Sequence, residues 1–141
     1  MTRENLPAGV GALPAAPLGN YPAARVGGGL IFVSGLSARQ SDGTIAGAAT
    51  VDGVPHLDVA VQTRTIVGKL QQVLGEYGAT LEHCIDVTAF LIDMNDFAAF
   101  NDAYAQYFSI AAGPARTTLA VRALPRPGMA VELKVIAALP R

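Results

Sequence analysis

The chain has 141 residues, enough for one domain with little room for a second. It is 51% hydrophobic and 15% charged, with a formal net charge of −1 and a mean hydropathy of +0.36. It has no Lys/Arg cluster and no tryptophan, hence no nucleic-acid footprint, and no apolar run approaches the roughly 18 residues of a membrane span.

Residues 1–17 are rich in Pro, Gly and Ala and read as an irregular arm. Arg25-Val26 and the run Leu30 to Ser34 flank Gly27-Gly28-Gly29, which predicts a β-hairpin. Residues 35–54 hold many turn formers and read as a long loop with a short strand at most. Residues 57–77 give the clearest helix, with Val59, Thr63, Ile66, Val67, Leu70, Val73, Leu74 and Tyr77 on one face. Gly78 stands where a left-handed terminating residue is wanted. Residues 84–92 read as a buried strand, because the run from Val87 to Ile92 is too continuous for an exposed edge.

Asn95 is placed to cap a second helix, with Phe97, Phe100, Tyr104 and Phe108 on its apolar face. Residues 115–121 and 130–138 complete the chain as strands, separated by a turn at 124–128. The order β-β-(β)-α-β-α-β-β predicts an α+β fold, one sheet with two helices on one face. Its other face then needs a cover. A small fold cannot hide this much apolar side chain internally, so a homo-oligomer is expected. His56, His83 and Cys84 lack zinc-ligand spacing, and Cys84 reads as core. Residues 1–15 show no cationic segment followed by a long apolar core, so the cytoplasm is the expected location.

Two charges stand out. Arg116 lies in a predicted strand after Pro114-Ala115, and Glu132 interrupts an apolar strand between Val131 and Leu133. A guanidinium can fork onto a carboxylate, and a buried carboxyl can orient a water and take its proton. The pair is expected on neighbouring strands. The plainer alternatives are that Arg116 pairs with a structural carboxylate and that Glu132 neutralises a buried arginine.

The motifs Leu30-Ile31-Phe32-Val33-Ser34-Gly35, Asn95-Asp96-Phe97 with Asn101 and Tyr104, Pro114-Ala115-Arg116-Thr117-Thr118, and Leu124-Pro125 followed by Val131-Glu132 resemble the Rid (YjgF, reactive intermediate deaminase) family. The likeness covers residues 18 to 138 and makes residues 1–141 a single Rid-like domain. Within the family, Pro17 to Pro22, Ser34 to Arg39, Thr44 to Gly47 and Asp86-Val87-Thr88 look like the 2-aminomuconate deaminases of aromatic-compound breakdown. Those carry histidines before the glutamate strand, where this chain has the turn Arg122 to Gly128.

The resemblance implies a chorismate-mutase-like homotrimer with active sites between subunits, no cofactor and no metal. It implies an enamine/imine deaminase acting on a small carboxylate, either 2-aminomuconate or short imines such as 2-iminobutanoate and 2-iminopropanoate. A non-catalytic acid-binding trimer and a ribonuclease are the competing readings. Arg116 would grip the carboxylate and Glu132 would handle the water. Tyr21 would line the pocket, Ser34 would donate to a carboxylate or water, and Asn101 would line the site or brace it near Arg116. The backbone amide at Thr118 would sit beside the bound acid. Arg39, with Arg122 and Arg126 as alternatives, would meet a second carboxylate.

Overall fold

The computed structural model describes residues 9–11 and 17–141, with backbone alone at 10 and 11. The expected arm therefore lies largely outside the described residues. Within it, Val10–Gly11 forms a short strand, β1, antiparallel to β2 (Ala24–Gly27).

Strand β2 turns into β3 (Leu30–Ser37) through Gly28 and Gly29, whose φ angles are +60° and +76°. Two successive positive φ values match the right-handed strand twist, and glycine adopts them without a Cβ penalty. The predicted hairpin is present. The expected long loop over 35–54 is corrected. Strand β3 runs on to Ser37, and β4 (Ala48–Val51) pairs with β5 (Val54–Leu57) as a second hairpin outside the main sheet. Its turn is Asp52-Gly53, again with two positive φ angles. Apart from Leu57 and the base at Ala48, its residues are exposed, so no buried alternation marked it in the sequence.

Helix α1 (Val59–Gly75) opens where Asp58 accepts a hydrogen bond from the Val61 amide at 3.0 Å. Its buried face is the predicted one, from Val59 to Leu74, with the addition of Gln62. Gln62 is fully buried; its Nε2 donates to the Gly128 carbonyl and its Oε1 accepts from the Ala130 amide, both at 2.8 Å. One side chain thus staples α1 to the turn before the last strand. Gln62→Ala is expected to lower unfolding stability by about 2–4 kcal/mol, because two buried backbone groups lose partners at about 1–3 kcal/mol each. Denaturant titration measures this; a loss below about 1 kcal/mol would mean that those groups find other partners.

Strand β6 (Cys84–Leu91) lies inside the sheet, as its apolar run suggested. Cys84 is in the core, and burial pushes its thiol up to about 11. The second helix differs at its start. Asn95 does not cap it: Asp93 caps a turn that precedes the helix, its carboxylate accepting from the Asn95 amide at 2.9 Å, and the helix itself starts after Asp96 with no side-chain cap. The turn is a 3₁₀ turn over Met94–Asp96, and helix α2 runs Phe97–Tyr104. Asp93 comes first in the chain and captures the first free amides, so Asn95 is drawn inside the turn. Phe108 falls beyond the helix but stays buried.

Strands β7 (Ala115–Ala120) and β8 (Val131–Ala138) complete a six-stranded sheet in the order β1-β2-β3-β8-β6-β7. Only β6 and β7 run parallel. On β8, Val131, Leu133, Val135 and Ala137 are fully buried and alternate with half-buried residues. This alternation faces one side of the sheet to Ile66, Val67, Leu70, Leu74 and Phe100 of the two helices. The opposite face carries no helix among the described residues and leaves Phe32, Ile85 and Leu119 more than a third exposed. No helix among the described residues is long and apolar enough to cross a membrane.

Candidate active site

Arg116 sits on β7 opposite Val87 of β6 and points to the helix side of the sheet. Its Nη2 donates to Asn101 Oδ1 at 2.7 Å. Its Cζ lies 4.7 Å from the ring centre of Tyr104, 5.1 Å from Phe100 and 5.9 Å from Phe97. Helix α2 therefore presents three aromatic faces and one amide to a single cation, and each ring attracts it. No carboxylate among the described residues is ion-paired with Arg116. The plainer reading of Arg116, a structural ion pair, finds no partner there. With one nitrogen held by Asn101, the rest of the fork is available to an anion.

Two buried hydroxyls without hydrogen-bond partners belong to this neighbourhood, Tyr104 Oη and Thr118 Oγ1. Thr118 lies two residues from Arg116 on the same side of β7, opposite Ala89. Burial pushes the Tyr104 hydroxyl up to about 12, opposed in part by the Arg116 charge.

Glu132 belongs to a different neighbourhood. It stands on β8 between the buried Val131 and Leu133, so it points to the open face, with Ser37 and Phe90 as its cross-strand neighbours. It is half-buried, and that burial holds its carboxyl above the ordinary value of 4.5. It has no hydrogen bond or ion pair among the described residues, so it neutralises no buried arginine there. Beside it, β3 bulges: Ser34 and Gly35 together stand opposite Lys134. Ser34 Oγ donates to the Pro22 carbonyl at 2.6 Å, which commits its proton and ties Tyr21-Pro22 to the bulge. Tyr21 itself is 44% exposed.

Arg39 lies two residues beyond Ser37, the cross-strand partner of Glu132. Lys69 of α1 anchors this exit by donating to the Ser37 carbonyl at 2.7 Å and to the Arg39 carbonyl. Desolvation, with the Arg39 charge second, lowers Lys69 to about 8. Arg122 and Arg126 are exposed in the turn before β8.

The predicted site residues thus form two groups. Arg116, Asn101 and Thr118 gather at the α2–β7 side; Glu132 on β8 stands beside the Ser34–Gly35 bulge of β3, to which Ser34 ties the Tyr21-Pro22 segment, while Arg39 lies at the exit of β3 beside Lys69. The expectation of neighbouring strands is corrected: β6 intervenes, and Arg116 and Glu132 face opposite sides of the sheet. Spacing along the sequence could not reveal this, because β7 pairs with β6 alone and β8 inserts between β6 and β3. A cleft of about 600 Å³ between β5, the start of α1 and α2 is lined by Gly47, His56, Asp58, Val61, Asp96 and Ala99, and contains neither Arg116 nor Glu132.

The sequence reading also passed over Gly35 as a packing position, Lys69, and the rings around Arg116. The available signal for Lys69 was its place in α1 directly before the buried Leu70.

The family model described as endoribonuclease L-PSP matches residues 12–139. The chain belongs to this family, that of the Rid proteins. A RutC family protein of Synechocystis sp. is 38% identical over 126 residues, 89% of this chain and 90% of that one. One from Pyrococcus abyssi is 34% identical over 122 residues, 86% and 87% of the two chains. Among solved structures, the Rid family protein YyfA of Yersinia pestis is similar with a TM-score of 0.73 and 33% identity, covering 89% of this chain and 92% of that one. Yeast Mmf1 has a TM-score of 0.76 at 27% identity, covering 93% and 97%. The two-helix, mixed-sheet α+β fold is the Rid fold.

Proposed function

We propose that this chain is an enamine/imine deaminase whose site is completed between copies in a homotrimer. Arg116, Asn101 and Thr118 of one copy would face Glu132, Ser34, Tyr21 and Arg39 of the next. The observation that carries this reading is the Arg116 guanidinium, walled by three rings, held through one nitrogen by Asn101 and paired with no carboxylate among the described residues. The open sheet face, which leaves Phe32, Ile85 and Leu119 exposed and has no helix over it among the described residues, supports burial against further copies.

The chemistry needs little beyond orientation. A 2-amino-2-enoate tautomerises to its 2-imine, and Arg116 holds the carboxylate next to the C=N carbon. Water adds its oxygen to that carbon as Glu132 accepts the water proton, and the C=N electron pair moves to nitrogen. Glu132 then returns the proton to nitrogen. Glu132 next takes the hydroxyl proton as C=O forms and passes it to the departing nitrogen, so that the C–N bond breaks and NH3 leaves a 2-oxo acid. Held geometry supplies much of the rate in such a step.

For substrate, the reading favours a dicarboxylate such as 2-aminomuconate over 2-iminobutanoate or 2-iminopropanoate. Arg39, at the exit of β3 two residues beyond Ser37, would meet the far carboxylate, while a short imine has none. Arg39→Ala is expected to lower kcat/KM for 2-aminomuconate roughly tenfold to hundredfold, the worth of a charged hydrogen bond, and to leave short imines unchanged. Ammonia release from both substrates checks this. An equal loss for both would remove the second-carboxylate role, and saturable 2-oxo acid binding without any ammonia release would favour a binding protein.

The ribonuclease reading suggested by the family description is less well supported. Acidic residues number 11 against 10 basic ones, and His83 Nδ1 is taken up by the Thr80 amide at 2.9 Å. We place the protein in the cytoplasm on sequence grounds, although a relative in Schizosaccharomyces pombe, 35% identical over 122 residues, is named as mitochondrial.

A further inference from the structure

We infer that Gly35 is a positioning residue for Glu132: the Ser34–Gly35 bulge is a rigid wall, and the missing side chain of Gly35 is the space in which the carboxylate stands. This deepens the proposed reaction and rests on Glu132 being its proton acceptor.

A Cβ built at Gly35 would lie 2.8 Å from Glu132 Oε2 and 3.0 Å from its Cδ. Real Cβ atoms do not tolerate such approaches, so one group must move. Gly35 does not have a positive φ, unlike the turn glycines Gly28, Gly29 and Gly53. Backbone freedom is therefore not what requires glycine at this position; room is.

The wall cannot simply retreat. Ser34 is tied on both its polar ends, Oγ to the Pro22 carbonyl at 2.6 Å and its amide to the Ala23 carbonyl at 2.8 Å. Lys134 Nζ donates to the Val33 carbonyl at 2.6 Å, just before the bulge. Lys69 grips the Ser37 and Arg39 carbonyls just after it. The chain has two lysines, and both spend their ammonium groups on β3 or its exit. Bulges are a recurrent means of aiming one side chain beside a reaction centre.

Glu132, by contrast, has no hydrogen bond among the described residues to hold its carboxylate. Contact with the wall is what limits where it can stand. An added methyl group would therefore displace the flexible carboxylate and leave the anchored strand in place. The fold should survive the substitution; the aim should not.

The test compares Gly35→Ala, Glu132→Asp and the double variant. Gly35→Ala is expected to keep the wild-type melting temperature and to lower kcat roughly 100-fold, the penalty for about 1 Å of misplacement, with KM nearly unchanged. Glu132→Asp withdraws the carboxylate by one methylene, so in the Gly35→Ala background it should restore turnover about tenfold. Wild-type kcat in Gly35→Ala would overturn the inference, as would strictly additive losses in the double variant. Should Gly35→Ala lose its fold, the wall is not independent of the acid and the inference also fails. Glu132→Gln separates the two levels. Full turnover in that variant would sink the proposed reaction itself, whereas its loss alongside an active Gly35→Ala would sink only the role of Gly35.

Discussion

Arg116→Lys is expected to lower kcat/KM for an imino acid by roughly 100-fold, even though the charge is kept. Lysine carries a compact ammonium with no planar fork. It could satisfy Asn101 or the substrate carboxylate, but not both in the geometry that Nη2 and Asn101 Oδ1 set at 2.7 Å. Losing one charge-assisted hydrogen bond costs about 1.5–3 kcal/mol, and the guanidinium's contacts with the Tyr104 and Phe100 rings are lost as well. Arg116→Ala should be worse, since the three rings would then face an empty space. Steady-state ammonia release measures both variants, and calorimetric binding of a 2-oxo acid separates lost affinity from lost chemistry. Equal rates for wild type and Arg116→Ala would show that the anchor lies elsewhere.

Glu132→Gln is expected to lower kcat by about 10²–10⁴-fold, the usual contribution of a positioned proton acceptor. Burial raises this carboxyl above its ordinary value of 4.5, and the sign of that shift acts in opposite directions on stability and rate. A carboxyl raised in the folded chain favours the protonated form. Its contribution to stability is fully present below the unfolded value and is lost as pH rises through the folded one. Near neutrality the ionised group therefore weakens the fold slightly, and the glutamine variant should be as stable as wild type or more so. In the proposed reaction turnover needs the ionised form, so the rate should fall as the solution is acidified through the raised value. That acidic limb should vanish in Glu132→Gln. A pH–rate profile of each protein, with melting curves at the same pH values, checks both halves. A limb that persists in the glutamine variant would assign it to another group.

Several elements are legible from the residues alone, for physical reasons. Helix α1 announces itself because Val59, Ile66, Val67, Leu70 and Leu74 repeat at the helical period and all meet one core. The β2–β3 hairpin follows from glycines that take the two positive φ angles of its turn without strain. Strand β6 reads as interior because Val87, Ala89 and Leu91 are buried while Thr88 and Phe90 are also partly covered. The β4–β5 hairpin is hidden because an exposed ribbon leaves no burial pattern, although Asp52-Gly53 marks its turn. Asn95 misled because a 3₁₀ turn capped by Asp93 precedes the helix and takes Asn95 into itself, and the helix begins after Asp96 without a side-chain cap. For the site, residue chemistry pointed to Arg116, Asn101 and Glu132, and the Arg116–Asn101 contact is present. The face each charge occupies depends on strand order, which no local pattern encodes.

The strand that carries Arg116 has a further consequence. Strand β7 ends the sheet, and no described strand pairs with its outer edge. Its six residues, Ala115 to Ala120, contain neither lysine nor proline, the usual guards against adventitious pairing. A subunit parted from the proposed trimer would offer that raw border, together with the exposed Phe32 and Leu119, to any extended chain it met. Dilution or mild acid that parts the copies should therefore yield sticky, precipitating protein rather than quiet monomers, and recovery after refolding should improve as concentration rises into the range where assembly outruns misjoining.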